Sequence, residues 1–253
     1  MATRRPVFVV AGVGNGTGTG AAAARAFAKA GYSVALIARN PEHLKNIAGE
    51  IVGGGGDASG FPVASYSYSN IREVFSEIKK HWPSGEIRVA VWNVAHNVRR
   101  PFLELSEQEV QDSVQTNIVS AFAFAREAIL AFKELELNNH GKRGALIFTS
   151  ATAAWRGNIT TAAFSAGKHG ERALAQSLNK EFGPENIHVS NVIVDGPILN
   201  GRLEKLATDR SILTDKDRRL DPDSIAASYV YLAHQDRSAW TFELDLRPAH
   251  EKW

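Results

Sequence analysis

A run of glycines near the start of the chain has the spacing of a phosphate-binding loop. Glycine recurs at positions 12, 14, 16, 18 and 20, between a short apolar run at 7–11 and an alanine-rich stretch. Such a loop, placed between a buried strand and a helix, lets backbone amides approach a pyrophosphate, whose charge the positive helix end offsets. The spacing Gly12-x-x-x-Gly16-x-Gly18 fits, whereas the i, i+2, i+5 fingerprint and the triphosphate P-loop do not. The sequence therefore predicts a dinucleotide site formed by Gly12, Asn15, Gly16, Thr17 and Gly18.

Arg39 directly follows the second apolar run, residues 32–38, and its position bears on the choice of dinucleotide. At this place an acidic residue bonds the ribose 2′-hydroxyl of NAD, whereas an arginine accommodates the 2′-phosphate of NADP. A guanidinium is planar, permanently charged and able to make forked contacts to phosphate. Arg39 therefore favours NADP(H), and the alternative is a solvated arginine that heads the next helix.

Three polar residues near the carboxyl ends of later strands could move protons. His96 follows the apolar run 89–93, Ser150 follows the run 144–149, and Asp195 follows the run 187–194. A histidine can donate a proton near neutral pH, and a hydroxyl or a carboxyl group can assist proton transfer. The alternatives are a histidine bound to backbone or water, a hydroxyl that caps local backbone, and a turn aspartate that caps its own backbone. The sequence leaves both interpretations open for each residue.

The elements that must position these residues alternate along the chain. Apolar periodicity predicts strands at 8–11, 32–38, near 61–63, 89–93, 144–149, 187–194 and 241–246. Helices are predicted at 19–31, 41–51, 71–81, 161–182 and 222–233, with one or two more within 106–132. Fully apolar strands that alternate with helices indicate an α/β fold with a doubly wound, Rossmann-like parallel sheet. The length of 253 residues suits a single domain over 1–253.

Two of these motifs make the chain resemble the short-chain dehydrogenase/reductase family. Ala11 and the glycine loop after it are similar to the family's Thr-Gly-x-x-x-Gly-x-Gly sequence. The segment Asn93-Val-Ala95-His96 resembles the Asn-Asn-Ala-Gly motif, from which valine and histidine depart. The resemblance implies that Asn93 and Ala95 line the cofactor site, and it extends from about residue 6 to residue 246.

Two further motifs resemble the family's catalytic set, with two replacements. In the family a tyrosine donates the proton, a lysine lowers the tyrosine pKa and holds the nicotinamide ribose, a serine polarises the carbonyl, and an asparagine anchors a relay water. Asn117 and Lys168 match two of these residues, but Phe164 stands at the tyrosine position and Ala151 at the serine position. A positioned general acid contributes roughly 10²–10⁴-fold. Ordinary ketone reduction by the family mechanism is therefore expected to be slow, unless His96, Ser150 or Asp195 supplies the acid. Asp195 could instead be a partner of Lys168.

The resemblance also implies a substrate lid near 196–221 and an oligomer. The segment 200–221 is charged and lacks aromatic residues, which suggests mobility. Two long helical stretches, 111–132 and 161–182, are alanine-rich and resemble the family's four-helix dimer interface. We therefore expect a homodimer or a homotetramer.

Composition excludes several classes of function. The net charge of +2 is too small to indicate a nucleic-acid groove, and the absence of cysteine removes thiolate metal sites and a cysteine nucleophile. The first apolar run is too short for a signal sequence or a membrane span. We expect a cytoplasmic protein with a small-molecule substrate, no metal site, and neither nucleic acid nor membrane as a partner.

Three functions remain open at this point. The first is an NADPH-dependent short-chain oxidoreductase with an atypical active site that reduces a carbonyl, enone or iminium-type substrate. Conjugated alkenes and iminium ions accept hydride with less help from an acid than ketones do, so they suit the missing tyrosine. The second is a catalytically silent NADP-binding protein, and the third is a non-redox enzyme on the same fold, with His96 or Asp195 as its acid or base.

Overall fold

Seven strands form one parallel sheet within residues 5–251, the part of the chain that the computed structural model describes. Their order across the sheet is β3-β2-β1-β4-β5-β6-β7, and every pairing is parallel. The order changes direction between β1 and β4, and ligands of such sheets bind outside the carboxyl ends of the strands at that switch point. The strands are β1 Pro6–Ala11, β2 Ser33–Ala38, β3 Asp57–Pro62, β4 Glu86–Trp92, β5 Gly144–Ala151, β6 Ile187–Val194 and β7 Glu243–Leu246.

Helices cover both faces of the sheet, which confirms the predicted doubly wound α/β fold. One apolar core lies between the sheet and α3, α5 and α6, and the other lies between the sheet and α1, α2 and α8. Because both faces are covered, β1 and β2 are apolar and buried along almost their whole length, and β6 is buried throughout. The helices are α1 Thr19–Lys29, α2 Pro41–Gly53, α3 Tyr68–His81, α4 Glu107–Val114, α5 Ser120–Lys133, α6 Ala162–Phe182, α7 Gly201–Leu206 and α8 Pro222–His234.

The stretch 106–132 forms one continuous helical segment with a π-helical turn in its middle. A capping box of Ser106 and Glu109 begins α4, and the five-residue π turn Gln115–Val119 joins α4 to α5. A π turn inserts one extra residue into the helix and so changes the direction in which local side chains point. This π turn contains Asn117, so it affects the direction of the Asn117 side chain.

Several strand boundaries differ from the sequence prediction, and the structure gives a physical reason for those of β3 and β5. β3 begins at Asp57 rather than near residue 61, because it pairs in register with β2 and the Asp57 carboxylate accepts hydrogen bonds from Ser33 (2.6 Å) and Trp82 (2.9 Å). Tertiary pairing therefore overrides the weak strand propensity of Asp-Ala-Ser-Gly. β5 continues to Ala151, which pairs with Val194, so Ser150 lies inside the strand rather than after it.

The last strand is held by side chains from the middle of the chain. The Glu243 carboxylate of β7 accepts two hydrogen bonds from Arg172 of α6, at 2.6 and 2.8 Å. It also accepts hydrogen bonds from the indole of Trp155 (3.1 Å) and the amide of Asn191 (2.9 Å). Across residues 5–251, no helix combines the length and the apolar character needed to cross a membrane.

Candidate functional site

The glycine loop lies at the carboxyl ends of β1 and β4, at the switch point of the sheet. Gly12 and Gly16 have φ angles of +91° and +97°, a region that favours glycine. A Cβ added at Gly12 would lie 2.7 Å from the Asn93 carbonyl oxygen, and the Asn93 amide donates a 2.7 Å hydrogen bond to the Gly12 carbonyl. The loop therefore packs directly on the end of β4, and a side chain at Gly12 would separate the two.

The amino end of α1 has the unfilled donors that a pyrophosphate requires. Gly18 is the N-cap and supplies no side-chain hydrogen bond to the first turn. The hydroxyl of Thr19 is buried and has no hydrogen-bond partner within residues 5–251. Arg25 of α1 holds the loop, because its guanidinium donates a hydrogen bond to the Gly16 carbonyl at 3.0 Å and forms an ion pair with Glu50 at 2.7 Å. These residues fit the phosphates of a dinucleotide.

Asn15 and Thr17 link the loop to the segment predicted as a lid. The Asn15 side-chain oxygen accepts a hydrogen bond from the Thr17 hydroxyl at 2.7 Å. The same hydroxyl accepts a hydrogen bond from the backbone amide of Gly201 at 3.0 Å. The first residue of α7 is therefore held against the glycine loop.

Arg39 lies at the carboxyl end of β2 with an exposed side chain. Within residues 5–251, its guanidinium forms no ion pair and no hydrogen bond. Burial raises the pKa of the nearby Tyr66 phenol to about 12, and the positive charge of Arg39 acts in the opposite direction. An exposed guanidinium at the end of β2 fits a 2′-phosphate.

The Asn117 side chain clamps the backbone of His96. Its oxygen accepts a hydrogen bond from the His96 amide, and its amide donates to the His96 carbonyl, both at 3.0 Å. It donates a further 3.0 Å hydrogen bond to Ser113, whose hydroxyl donates to the Ala163 carbonyl of α6 at 2.8 Å. The clamp thus joins the segment after β4 to the π turn and to α6.

Gly167 permits this arrangement, and sequence reasoning missed it. A Cβ at Gly167 would lie 2.8 Å from Cβ and Nδ2 of Asn117, so α6 approaches the π turn as closely as only glycine allows. The imidazole of His96, whose backbone the clamp holds, is half-buried, and Ala95 before it is exposed. Both residues lie at the carboxyl edge of the sheet, as expected.

Phe164 and Ser150 are both buried near this edge. Phe164 lies on α6, and its ring provides no ionisable group. The Ser150 side chain is 4% exposed, and its hydroxyl has no hydrogen-bond partner within residues 5–251. Strand alternation puts Ser150 on the same face of β5 as Phe148, the face that packs against α5 and α6. Ala151 then belongs to the opposite face.

Lys168 is bound on all sides by polar groups of the protein. Its Nζ donates to both carboxylate oxygens of Glu171, at 2.9 and 3.0 Å, and to the Thr149 carbonyl at 2.9 Å. Burial raises the pKa of Glu171, and the Lys168 ammonium acts in the opposite direction. Sequence reasoning did not single out Glu171, although its spacing from Phe164 and Lys168 puts all three on one face of α6.

Asp195 is paired with arginines and not with Lys168, so that sequence-based alternative is wrong. Its carboxylate accepts a hydrogen bond from the Thr152 hydroxyl. It also lies 3.5 Å from the Arg247 guanidinium and 3.7 Å from that of Arg156. Lys168 is instead held by Glu171 on its own helix, where an i, i+3 pair needs no long-range approach.

Comparison with known proteins gives one family and one fold. A family model described as short chain dehydrogenase matches residues 7–209. A glucose and ribitol dehydrogenase homolog of Oryza sativa subsp. japonica is 26% identical over 175 residues, which cover 67% of this chain and 58% of that protein. The chain spans less than two thirds of the length of the curated relatives it matches.

Two solved structures illustrate the structural likeness. A short-chain dehydrogenase from Rhodopseudomonas palustris has a TM-score of 0.79 and 30% identity, covering 97% of this chain and 99% of that one. An actinorhodin polyketide ketoreductase variant crystallised with NADPH has a TM-score of 0.84 and 22% identity, covering 99% and 100% of the two chains. At that identity, the second comparison supports the fold alone.

Proposed function

The chain belongs to the short-chain dehydrogenase family, and we propose that it is an NADP(H)-dependent oxidoreductase with an atypical active site. Its substrate is a small molecule with a carbonyl, enone or iminium-type double bond. The observation that carries this proposal is the glycine loop, with positive φ at Gly12 and Gly16, which leads into the uncapped amino end of α1 at the switch point of the sheet.

The cofactor would be held along the carboxyl edge of the sheet. The glycine loop and the first-turn amides of α1 would bind the pyrophosphate, and Arg39 would bind the 2′-phosphate. Asn93 and Ala95 would line the side near β4, and Lys168 would hold the nicotinamide ribose. Two proteins of the same fold were crystallised with NADPH or NADP. When bound, the cofactor supplies the hydride.

The residues around the substrate would exclude water and deliver a proton. Phe164 would form an apolar wall where the tyrosine of the resembled motif would stand. His96 is held through its backbone by Asn117 and keeps a half-buried imidazole, while Ser150 presents a buried hydroxyl without a partner. These two residues are the favoured proton donors. Asp195 is the weaker candidate, because its carboxylate is already engaged by the Thr152 hydroxyl and by the guanidinium groups of Arg247 and Arg156.

A second copy of the chain would pack on α4 and α5 to give the homodimer or homotetramer proposed for this protein. The exposed faces of these helices carry Val110, Val114, Phe122 and Leu130. A groove of about 390 Å³ beside Phe122 and Leu130 is also lined by apolar residues of α6. We also propose a cytoplasmic location for this assembly.

The proposal is tested by a screen of NADPH oxidation over aldehydes, ketones, enones and imines. We expect turnover of an enone or an imine at a higher rate than that of a simple ketone. A Ser150→Ala variant and a His96→Gln variant, assayed on the best substrate, identify the proton donor through a loss on the order of 10²-fold. NADPH binding without turnover of any substrate would leave the silent nucleotide-binding protein, and no binding would refute the cofactor assignment.

A further inference from the structure

The ammonium group of Lys168 has no donor left for a ligand. An ammonium carries three N–H donors, and these meet the two Glu171 carboxylate oxygens and the Thr149 carbonyl at 2.9–3.0 Å. The Lys168 and Glu171 side chains are 2% and 0% exposed. The contact to the nicotinamide ribose proposed above needs at least one of these donors, so the ribose and Glu171 compete for the same group.

Building on the nucleotide binding proposed above, we propose that Glu171 is a positioning residue that holds Lys168 away from the cofactor. Cofactor binding draws Lys168 off Glu171 and onto the ribose. Glu171, left in the core without its counter-ion, then takes up one proton from solvent and becomes a neutral acid.

The surroundings of Glu171 favour this proton uptake. Burial is the largest influence on its carboxyl group and raises its pKa, while the Lys168 ammonium and the Trp92 indole lower it. Tyr229 of α8 is the other titratable group that senses Glu171, and burial keeps its phenol neutral by raising its pKa. Lys168 is therefore the only cation among the groups that act on Glu171 in the described part of the chain. A buried carboxylate that loses its only counter-ion binds a proton because the neutral form costs far less to bury.

Isothermal titration calorimetry in buffers of different ionisation enthalpy measures the protons exchanged on binding. NADPH is titrated into the wild type and into Glu171→Gln at pH 7.5, and the compared quantity is the difference between the two proteins. The 2′-phosphate of NADPH also titrates, with a pKa of roughly 6, but it does so in both proteins and cancels in the difference. We expect the wild type to take up about one more proton per site than the variant.

The affinity of the variant provides a second readout. Glu171→Gln removes the charge that competes with the ribose, so the variant should bind NADPH roughly tenfold more tightly than the wild type. The proton difference and the tighter binding are effects that a purely structural ion pair would not produce. Lys180→Met, an exposed change on the same helix, is the matched control and should behave like the wild type.

Each outcome bears on the proposal. An equal proton count in the wild type and Glu171→Gln overturns it, even if both bind NADPH, and leaves the proposed function intact. No NADPH binding by the wild type overturns the proposed function and this role of Glu171 together. If Glu171→Gln fails to fold, the double variant Lys168→Met/Glu171→Leu replaces it, because apolar residues of similar volume commonly substitute for a buried pair. That variant should likewise lack the extra proton, and a persisting proton uptake overturns the proposal.

Discussion

Replacing Gly167 with alanine should destabilise the protein, although alanine is the better helix former. The new methyl group would lie 2.8 Å from Cβ and Nδ2 of Asn117, whereas carbon atoms in contact prefer about 3.5–4.0 Å. Either α6 or the π turn must therefore move by roughly 0.7 Å or more. Such overpacking costs about 1–3 kcal/mol.

The displaced Asn117 also loses part of its clamp on His96. Its three hydrogen bonds to His96 and Ser113 contribute about 0.5–1.5 kcal/mol each. The gain in helix propensity offsets about 1 kcal/mol of these losses. The net expectation is a free energy of unfolding that is lower by about 2 kcal/mol, which for a chain of this length lowers Tm by roughly 4–8 °C.

Urea unfolding and thermal unfolding, each followed by circular dichroism, measure this change. The matched control is Gly49→Ala, in the interior of α2, where an added Cβ meets nothing within 4 Å. That variant should gain about 0.5–1 kcal/mol from helix propensity alone. If Gly167→Ala were stabilised to the same extent as Gly49→Ala, the close approach between α6 and Asn117 would be refuted.

Four other changes test separate parts of the structure. Arg39→Ala should weaken NADPH binding by roughly 10–100-fold and NADH binding hardly at all, as measured by fluorescence titration; an unchanged preference would contradict the 2′-phosphate contact. Phe164→Tyr combined with Ala151→Ser should raise ketone reduction on the order of 10²-fold over the wild type, and no gain would argue that another acid already serves the site. Burial lowers the pKa of His188 to about 4, whereas in the unfolded chain the imidazole binds a proton below about pH 6.5. The free energy of unfolding should therefore fall by about 3 kcal/mol as the pH falls from 6.5 to 4. The variant His188→Gln should abolish that loss. Light scattering should report a dimer or a tetramer for the wild type and a smaller species for a Leu130→Arg variant, and a wild-type monomer at micromolar concentration would refute the proposed interface.

The parts of the fold that follow from local patterns were predictable from sequence. Apolar runs indicated six of the strands near their observed places, and the glycine spacing indicated the loop after β1. β3 was misplaced because its residues Asp-Ala-Ser-Gly have little strand propensity of their own. Its position is decided by pairing with β2 and by the hydrogen bonds of Asp57, which no local pattern reveals.

The candidate site shows the same division. The glycine loop, Arg39 and Asn117 could be singled out from the sequence because their positions relative to strands and helices carry the information. The engagement of Lys168 by Glu171, the arginine partners of Asp195 and the contact between Thr17 and Gly201 depend on rotamers and on distant packing. Helical spacing could have indicated Glu171, because a carboxylate three residues after a lysine on a buried face needs a partner.

The dependence of Asp195 on β7 has a consequence for synthesis of the chain. The Asp195 amide donates to the Leu246 carbonyl, and its carboxylate faces Arg247, so this corner takes its final form only after nearly all of the chain has been made. The glycine loop depends instead on β1, α1 and β4, which are complete by residue 93. On a ribosome, the segments that hold the phosphate-binding loop are therefore made long before the segment that completes the corner at Asp195. The loop that would bind the pyrophosphate is thus synthesised well before Lys168, which would hold the nicotinamide ribose.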